Sequence, residues 1–184
     1  MKVTTKIAIL ITDLGKKMEI DIKGWFKFAY LDDVLFMLER HHSNVKWGYI
    51  TSNSKIATSL GFQEDEYYGY FLPIKDIAHT RGFESNVYCK YKGFEFFVHS
   101  YNVCNDKLFC ISPESYEAAK FFGFSDGSMR YEMPNLDVPL SDLDEIYRKR
   151  RKLDKFIFDV DPIKPIYKDG KWLIEPDENG VYVI

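Results

Sequence analysis

The sequence predicts an α+β protein: a mainly antiparallel sheet packed with about four to five short helices in a single compact domain. Three observations predict it. Val87 to Tyr91 and Phe94 to Ser100 flank Lys92-Gly93 as a hairpin, and Leu108 to Ser112 supplies a third strand after a polar loop. Segments on either side carry helix caps and helical spacing of apolar residues. The 184 residues, 46% hydrophobic and 29% charged, sit in the ordinary globular range, which excludes disordered and collagen-like chains.

Taken in order, Val3 to Thr12 and Met18 to Ile22 read as a first hairpin about the turn Asp13-Leu14-Gly15. Tyr30 to His42 reads as a helix, with Leu31, Val34, Leu35 and Leu38 at i, i+3, i+4 and i+7, acids early and Arg40, His41 and His42 late. Trp47 to Thr51 is a short strand and Ser54 to Leu60 a short helix. Another short helix is expected after Pro73, ending near His79. Gly61-Phe62, Gly82-Phe83 and Gly123-Phe124 read as helix stops, the glycine turning left-handed and the Phe folding back.

With Tyr91 opposite Phe94, parity puts Val87, Cys89, Tyr91, Phe94, Phe96 and Val98 on one face of the central hairpin, and Tyr88, Lys90, Glu95, Phe97 and His99 on the other. Ser112-Pro113-Glu114 opens a helix running to Phe122, and Met129 to Met133 follows as a strand. Ser141 begins a last helix to about Lys152, with Asp144 at capping-box spacing. Residues 1–152 form the core domain by this reading. Residues 153–184, with three prolines and a Lys168-Asp169-Gly170-Lys171 turn, form a hairpin or extended segment packed on it.

Composition also bounds the setting. No run approaches the roughly 20 apolar residues that span a bilayer. Three cysteines, an odd number at spacings of 15 and 6, argue against a disulfide framework and for the cytoplasm. A net charge of -3 gives no global pull toward nucleic acid or an anionic membrane.

Several motifs invite chemistry. Gly123-Phe124-Ser125-Asp126-Gly127 fits the hydrolase elbow pattern, but a helix precedes it and no His follows His99, so it reads as a helix stop and turn. Cys89, His99, Cys104 and Cys110 are metal-ligating types, yet Cys89 and His99 fall on opposite hairpin faces; no metal or other cofactor is expected. The cations Arg148-Lys149-Arg150-Arg151-Lys152 complement a helix C-terminus, which leaves a nucleic-acid regulator as a lesser alternative. A small hydrolase or transferase using scattered carboxylates and His99 is another.

The most suggestive segment is Glu64-Asp65-Glu66-Tyr67-Tyr68-Gly69-Tyr70-Phe71, carboxylates running into aromatics about a glycine. As a loop it offers Glu64, Asp65, Glu66, Tyr67, Tyr68 and Tyr70 to a basic protein surface. As a strand it would instead turn Tyr68, Tyr70 and Leu72 into a core. Tyr88 and Phe97, on the mixed hairpin face, make a second candidate patch.

From Ile111 to Pro139 the chain reads ISPESYEAAKFFGFSDGSMRYEMPNLDVP, preceded by the hairpin YKGFEFFVHSYNVCNDKLFCIS. The helix ending in a bulky pair, the Gly-Phe, the Ser-Met-Arg and the Pro-Asn-Leu run resemble the C-terminal part of bacterial polymorphic-toxin immunity proteins. The matching positions are Phe122, Gly123, Met129, Arg130 and Leu136. The resemblance covers about 50 residues. It implies a non-catalytic cytoplasmic protein that binds and blocks a cognate protein toxin, and it carries over no substrate.

Overall fold

A computed structural model of the chain describes residues 25–102, 108–125 and 134–173. The expected hairpin at Val3 to Ile22, the strand at Met129 to Met133, Cys104 and residues 174–184 lie outside these. The described chain is sheet with few helices: β1 (Trp25–Leu31), β2 (Val34–Arg40), β3 (Trp47–Thr51), α1 (Ser54–Leu60), β4 (Gln63–Asp65), β5 (Gly69–Pro73), β6 (Gly82–Tyr91), β7 (Phe94–Asn102), β8 (Leu108–Pro113), α2 (Tyr116–Phe121), β9 (Leu136–Pro139), β10 (Glu145–Lys152), β11 (Ile163–Lys168) and β12 (Lys171–Trp172). Two α-helices and two short 3₁₀ turns among the described residues replace the four to five helices expected.

Two of the expected helices are strands. Tyr30 to His42 folds as the β1–β2 hairpin, pairing Leu31 with Val34 and Phe28 with Met37. Asp32 and Asp33 take positive φ of 48° and 63° and turn the chain where a helix would have continued. The helical spacing misled because β2 buries both faces: Val34, Phe36 and Leu38 enter one cluster, Leu35 and Met37 another. Ser141 to Lys152 is a 3₁₀ turn at Leu140–Asp142 and then strand β10. Gly82 does not stop a helix; it opens β6 where the Phe156 ring leaves no room for a Cβ. Near His79 the expected helix is a single 3₁₀ turn, Ile77–His79, capped by Asp76.

Other elements follow the sequence closely. Asn53 caps α1 through its side-chain oxygen, and Gly61 leaves the helix left-handed. Tyr91 pairs with Phe94 about Lys92-Gly93. The second helix is shorter than expected: Pro113 ends β8, and Ser115 caps α2 at the Ala118 N–H.

The described chain divides into two compact units. One holds Phe26–Ser85 and Arg150–Asp161. Its strands run β6-β1-β2-β3-β5-β4, antiparallel from β1 to β4, so that β4 lies at a sheet edge. One face packs Phe36, Leu38, Tyr49, Phe62, Leu153 and Phe156; the other packs Phe28, Leu35 and Phe83.

The second unit holds Asn86–Lys149 and the residues from Pro162 on. Its strands run β12-β11-β10-β6-β7-β8-β9. Val87, Cys89, Phe96, Val98, Phe109, Ile111, Ile146 and Ile166 form its core, and Phe122 at the end of α2 packs against it. Burial pushes the Cys89 thiol up to about 12, so it stays protonated as a core residue.

Candidate functional site

The acidic and aromatic segment builds a turn at the sheet edge. Glu64 and Asp65 close β4, Tyr70 and Phe71 open β5, and Glu64 pairs with Tyr70. The Asp65 carboxylate folds back to make the turn: Oδ1 accepts the N–H groups of Tyr67 at 2.9 Å and Tyr68 at 3.1 Å. Its other oxygen, Oδ2, accepts from His41 Nε2 at 2.9 Å. Partial burial pushes the Asp65 carboxyl up, but the two amides and the imidazole outweigh it and hold it below the ordinary carboxylate range.

The loop between β2 and β3 meets this turn. Tyr68 donates its hydroxyl to the Arg40 carbonyl at 3.1 Å. The His41 ring lies edge-on to Phe71 at 4.9 Å and stacks on His42 at 4.6 Å, and the His42 ring contacts Tyr67 at 4.0 Å. Beneath this, the Phe71 ring covers Gly48, where even a Cβ would come within 2.2 Å of it. The loop is therefore seated on a packed floor.

Exposure separates the segment into two groups. Tyr67 is 64% exposed, with Glu64 and Glu66 also exposed beside it, while Asp65, Tyr68 and Tyr70 are half-buried. Tyr70 packs against the core cluster with Leu72, on the side opposite Phe71. The segment is thus a strand from Gly69 onward and an exposed turn before it, with Tyr68 in the turn. Glu64, Asp65, Glu66, Gly69 and Tyr70 line an open depression of about 390 Å³.

Sequence reasoning missed the loop that completes this surface. His41 and His42 read there as a solvated helix end. In the structure His41 anchors Asp65, His42 supports Tyr67, and Val45 on the same loop is 63% exposed. The signal was available only as a His-His pair preceding turn-forming Ser43-Asn44, which names no partner.

Ser43, His41 and Asp65 follow the order of a nucleophile, base and orienter. The Ser43 hydroxyl donates to His41 Nδ1 at 2.8 Å, and the Ser43 N–H approaches the same nitrogen at 3.3 Å. That shared lone pair ties the turn to the ring, so the arrangement reads as a brace for the loop.

The second patch is differently built. Tyr88 is only 3% exposed, stacked on Tyr147 and covered by the Lys149 ammonium 4.4 Å from its ring centre. Phe97 is half-buried, edge-on to Tyr88 and to His99. Glu95 accepts hydrogen bonds from the Tyr147 hydroxyl and the Lys149 ammonium. Burial pushes Glu95 up, but Lys149 and Tyr147 outweigh it and lower its pKa; burial and the neighbouring carboxylate raise that of Tyr147.

His99 sits where β7 and β8 shift register, Val98 pairing with Ile111 and Ser100 with Cys110. It donates from Nε2 to Ser112 Oγ at 2.7 Å, and the Ser112 hydroxyl donates in turn to Asn135 Oδ1 at 2.6 Å. Burial lowers the His99 pKa and favours the neutral ring. Ser112 is 2% exposed. The Arg148 to Lys152 run is divided as well: Arg148 is 1% exposed, Lys149 pairs with Glu95, and Arg150 lies over Phe83 at 5.1 Å.

Among the described residues, no group of three or more His, Cys, Asp or Glu side chains is placed to hold a metal ion. None of their helices is long and apolar enough to cross a membrane. Comparison with protein-family models, curated proteins and solved structures finds no match.

Proposed function

We propose that this chain is a non-catalytic, cytoplasmic immunity-type protein that binds and neutralises a cognate toxin domain through the turn at Glu64 to Tyr70 and the loop beside it. One observation carries the reading: Tyr67 is held 64% exposed against His42, on a turn that also exposes Glu64 and Glu66 just before it in the chain. An exposed aromatic whose backbone is already fixed loses little entropy on binding, and a carboxylate rim steers a basic partner toward it. The resemblance of residues 88–139 to immunity proteins supplies the class of partner; the turn supplies its chemistry, a basic surface with a recess for one aromatic ring. Tyr88, buried beneath the Lys149 ammonium, is not a contact residue in this proposal.

The test is to express the gene upstream of this one with and without the chain. Rescue from toxicity and a stable copurified complex are expected. Tyr67→Ala should weaken that complex about 30-fold, a loss of about 2 kcal/mol typical of a central aromatic contact. The variant should keep the wild-type circular dichroism and melting temperature. A toxic neighbour that is neither bound nor neutralised sinks the reading; a complex indifferent to Tyr67→Ala and Glu66→Lys moves the interface elsewhere.

A further inference from the structure

We propose that the exposed face of α2 binds a second copy of this chain, the two helices lying antiparallel about a two-fold axis. The order of residues along the helix carries the proposal. Tyr116-Glu117-Ala118-Ala119-Lys120-Phe121 reads aromatic, acid, small, small, base, aromatic. At about 100° per residue, the two alanines share one side and the other four residues share the opposite side. The structure buries Ala118 and Ala119 and exposes Glu117 and Lys120, with Tyr116 51% and Phe121 63% exposed.

A face with that order is its own complement. A two-fold axis midway between Ala118 and Ala119 sets Tyr116 of each copy against Phe121 of the other, and Glu117 of each against Lys120 of the other. Each aromatic contact and each ion pair then occurs twice. Among the described residues, neither Glu117 nor Lys120 is held in an ion pair, so both charges are available. A partner surface of a single sign meets one of the two in repulsion, whereas a second copy satisfies both. The antiparallel arrangement also places the positive end of each helix beside the negative end of the other.

The apolar end of this face is firmly seated. The Phe121 ring rests on Phe94 at 5.0 Å and on Phe122 at 5.1 Å. Phe122 in turn packs on Tyr91 of β6 and Phe96 of β7, each at 5.4 Å. Phe122 belongs to the edge of the core cluster and Phe121 does not, so the core does not account for a phenyl ring at position 121. A side chain backed in this way loses little freedom when it is covered. Six residues make a helix only about 9 Å long, so the shared area is small and the dimer is weak and concentration-dependent.

Sedimentation velocity of the full chain over about a thousandfold range of concentration tests this. Monomer at the dilute end should pass to dimer at the concentrated end. Phe121→Ser should weaken association at least about tenfold while leaving the circular dichroism spectrum unchanged. Glu117→Lys and Lys120→Glu should each weaken it too, because each sets like charges opposite one another at both contacts. Mixing these two variants should restore association, since the lysines of one then face the glutamates of the other. Restoration by mixing separates docking from folding, because neither chain is altered by it. A chain that stays monomeric throughout overturns the proposal. So does a dimer that Phe121→Ser leaves intact, or one lost in the charge variants that mixing fails to restore. A monomer that instead floats with phosphatidylcholine vesicles, and ceases to in Phe121→Ser, also overturns it and gives the face to a lipid surface.

Discussion

At the scale of single residues, charge in this protein is placed by bonds more than by exposure. Glu95 shows it in the second unit. Its carboxylate faces Tyr147 and Lys149, with Lys90 also near, and is held below the ordinary carboxylate range against the opposing effect of burial. A depressed carboxyl stabilises the fold above its unfolded value and loses that contribution as pH falls through its folded value. Glu95→Gln should therefore lower stability by about 1–2 kcal/mol at neutral pH, discounted for the one-third exposure of the side chain. The gap between variant and wild type should close as pH drops below about 4.3, the ordinary Glu value. Urea melts of both proteins at neutral and acid pH give the comparison; a gap that widens with acid would show that the hydrogen bonds are not what Glu95 supplies. Asp65 carries the same sign, so acid should loosen the Tyr67 turn as well. None of these pairings was legible in the chain, because Glu95 and Lys149 are 54 residues apart and Asp65 and His41 are 24 apart. The chemistry of Glu64 to Tyr70 was legible, since turn and anchor residues there are neighbours in sequence.

At the scale of elements, the turns decide what hydrophobic spacing leaves open. Three hairpins close on two residues with positive φ: Asp32-Asp33 at 48° and 63°, Lys92-Gly93 at 49° and 81°, and Asp169-Gly170 at 50° and 76°. This is the type I′ geometry that matches strand twist. The two turns with a glycine were read correctly, and the one without it was absorbed into a helix. Leu31, Val34, Leu35 and Leu38 fit helical spacing, yet a strand buried on both faces produces the same run. Ser141 to Lys152 failed for a related reason: Ile146 and Tyr147 are strand formers, and the cations that suited a helix end are instead placed by pairing, with Arg148 buried and Lys149 on Glu95. Where a cap has its own hydrogen bond, as Asn53 does, the helix was found. If the β1–β2 turn is the strained form of this geometry, Asp33→Gly should relieve it. Asp33 is 94% exposed and only 3.4 Å from Arg81, a contact of little energy. Stability should rise by a few tenths to about 1 kcal/mol. A loss of more than that in chemical melts would mean that the Arg81 contact, and not the backbone, holds the turn.

At the scale of the whole molecule, the 28 acids and 25 bases nearly cancel, so selectivity among partners depends on where charge remains available. The densest basic run illustrates the difference between sequence charge and surface charge. Arg148 is buried, Lys149 is engaged by Glu95 and Arg150 is half-buried against Phe83, while Arg151 and Lys152 are exposed. Two exposed cations neutralise too few phosphates to hold a duplex at physiological salt, where affinity falls steeply with each counterion that returns. The acidic turn, by contrast, gathers Glu64 and Glu66 beside one exposed aromatic, where a basic protein surface gains both steering and burial. These placements predict opposite outcomes for two classes of partner. Fluorescence anisotropy with a labelled duplex should show no saturable binding at about 0.15 M salt, with weak binding only well below that. For the basic protein partner proposed above, added salt should slow association while leaving dissociation nearly unchanged, because steering is screened and burial of Tyr67 is not. Tight duplex binding that Arg150→Glu abolishes would reverse this assignment, since it would require the arginine over Phe83 to turn outward and the basic run to act as a surface after all.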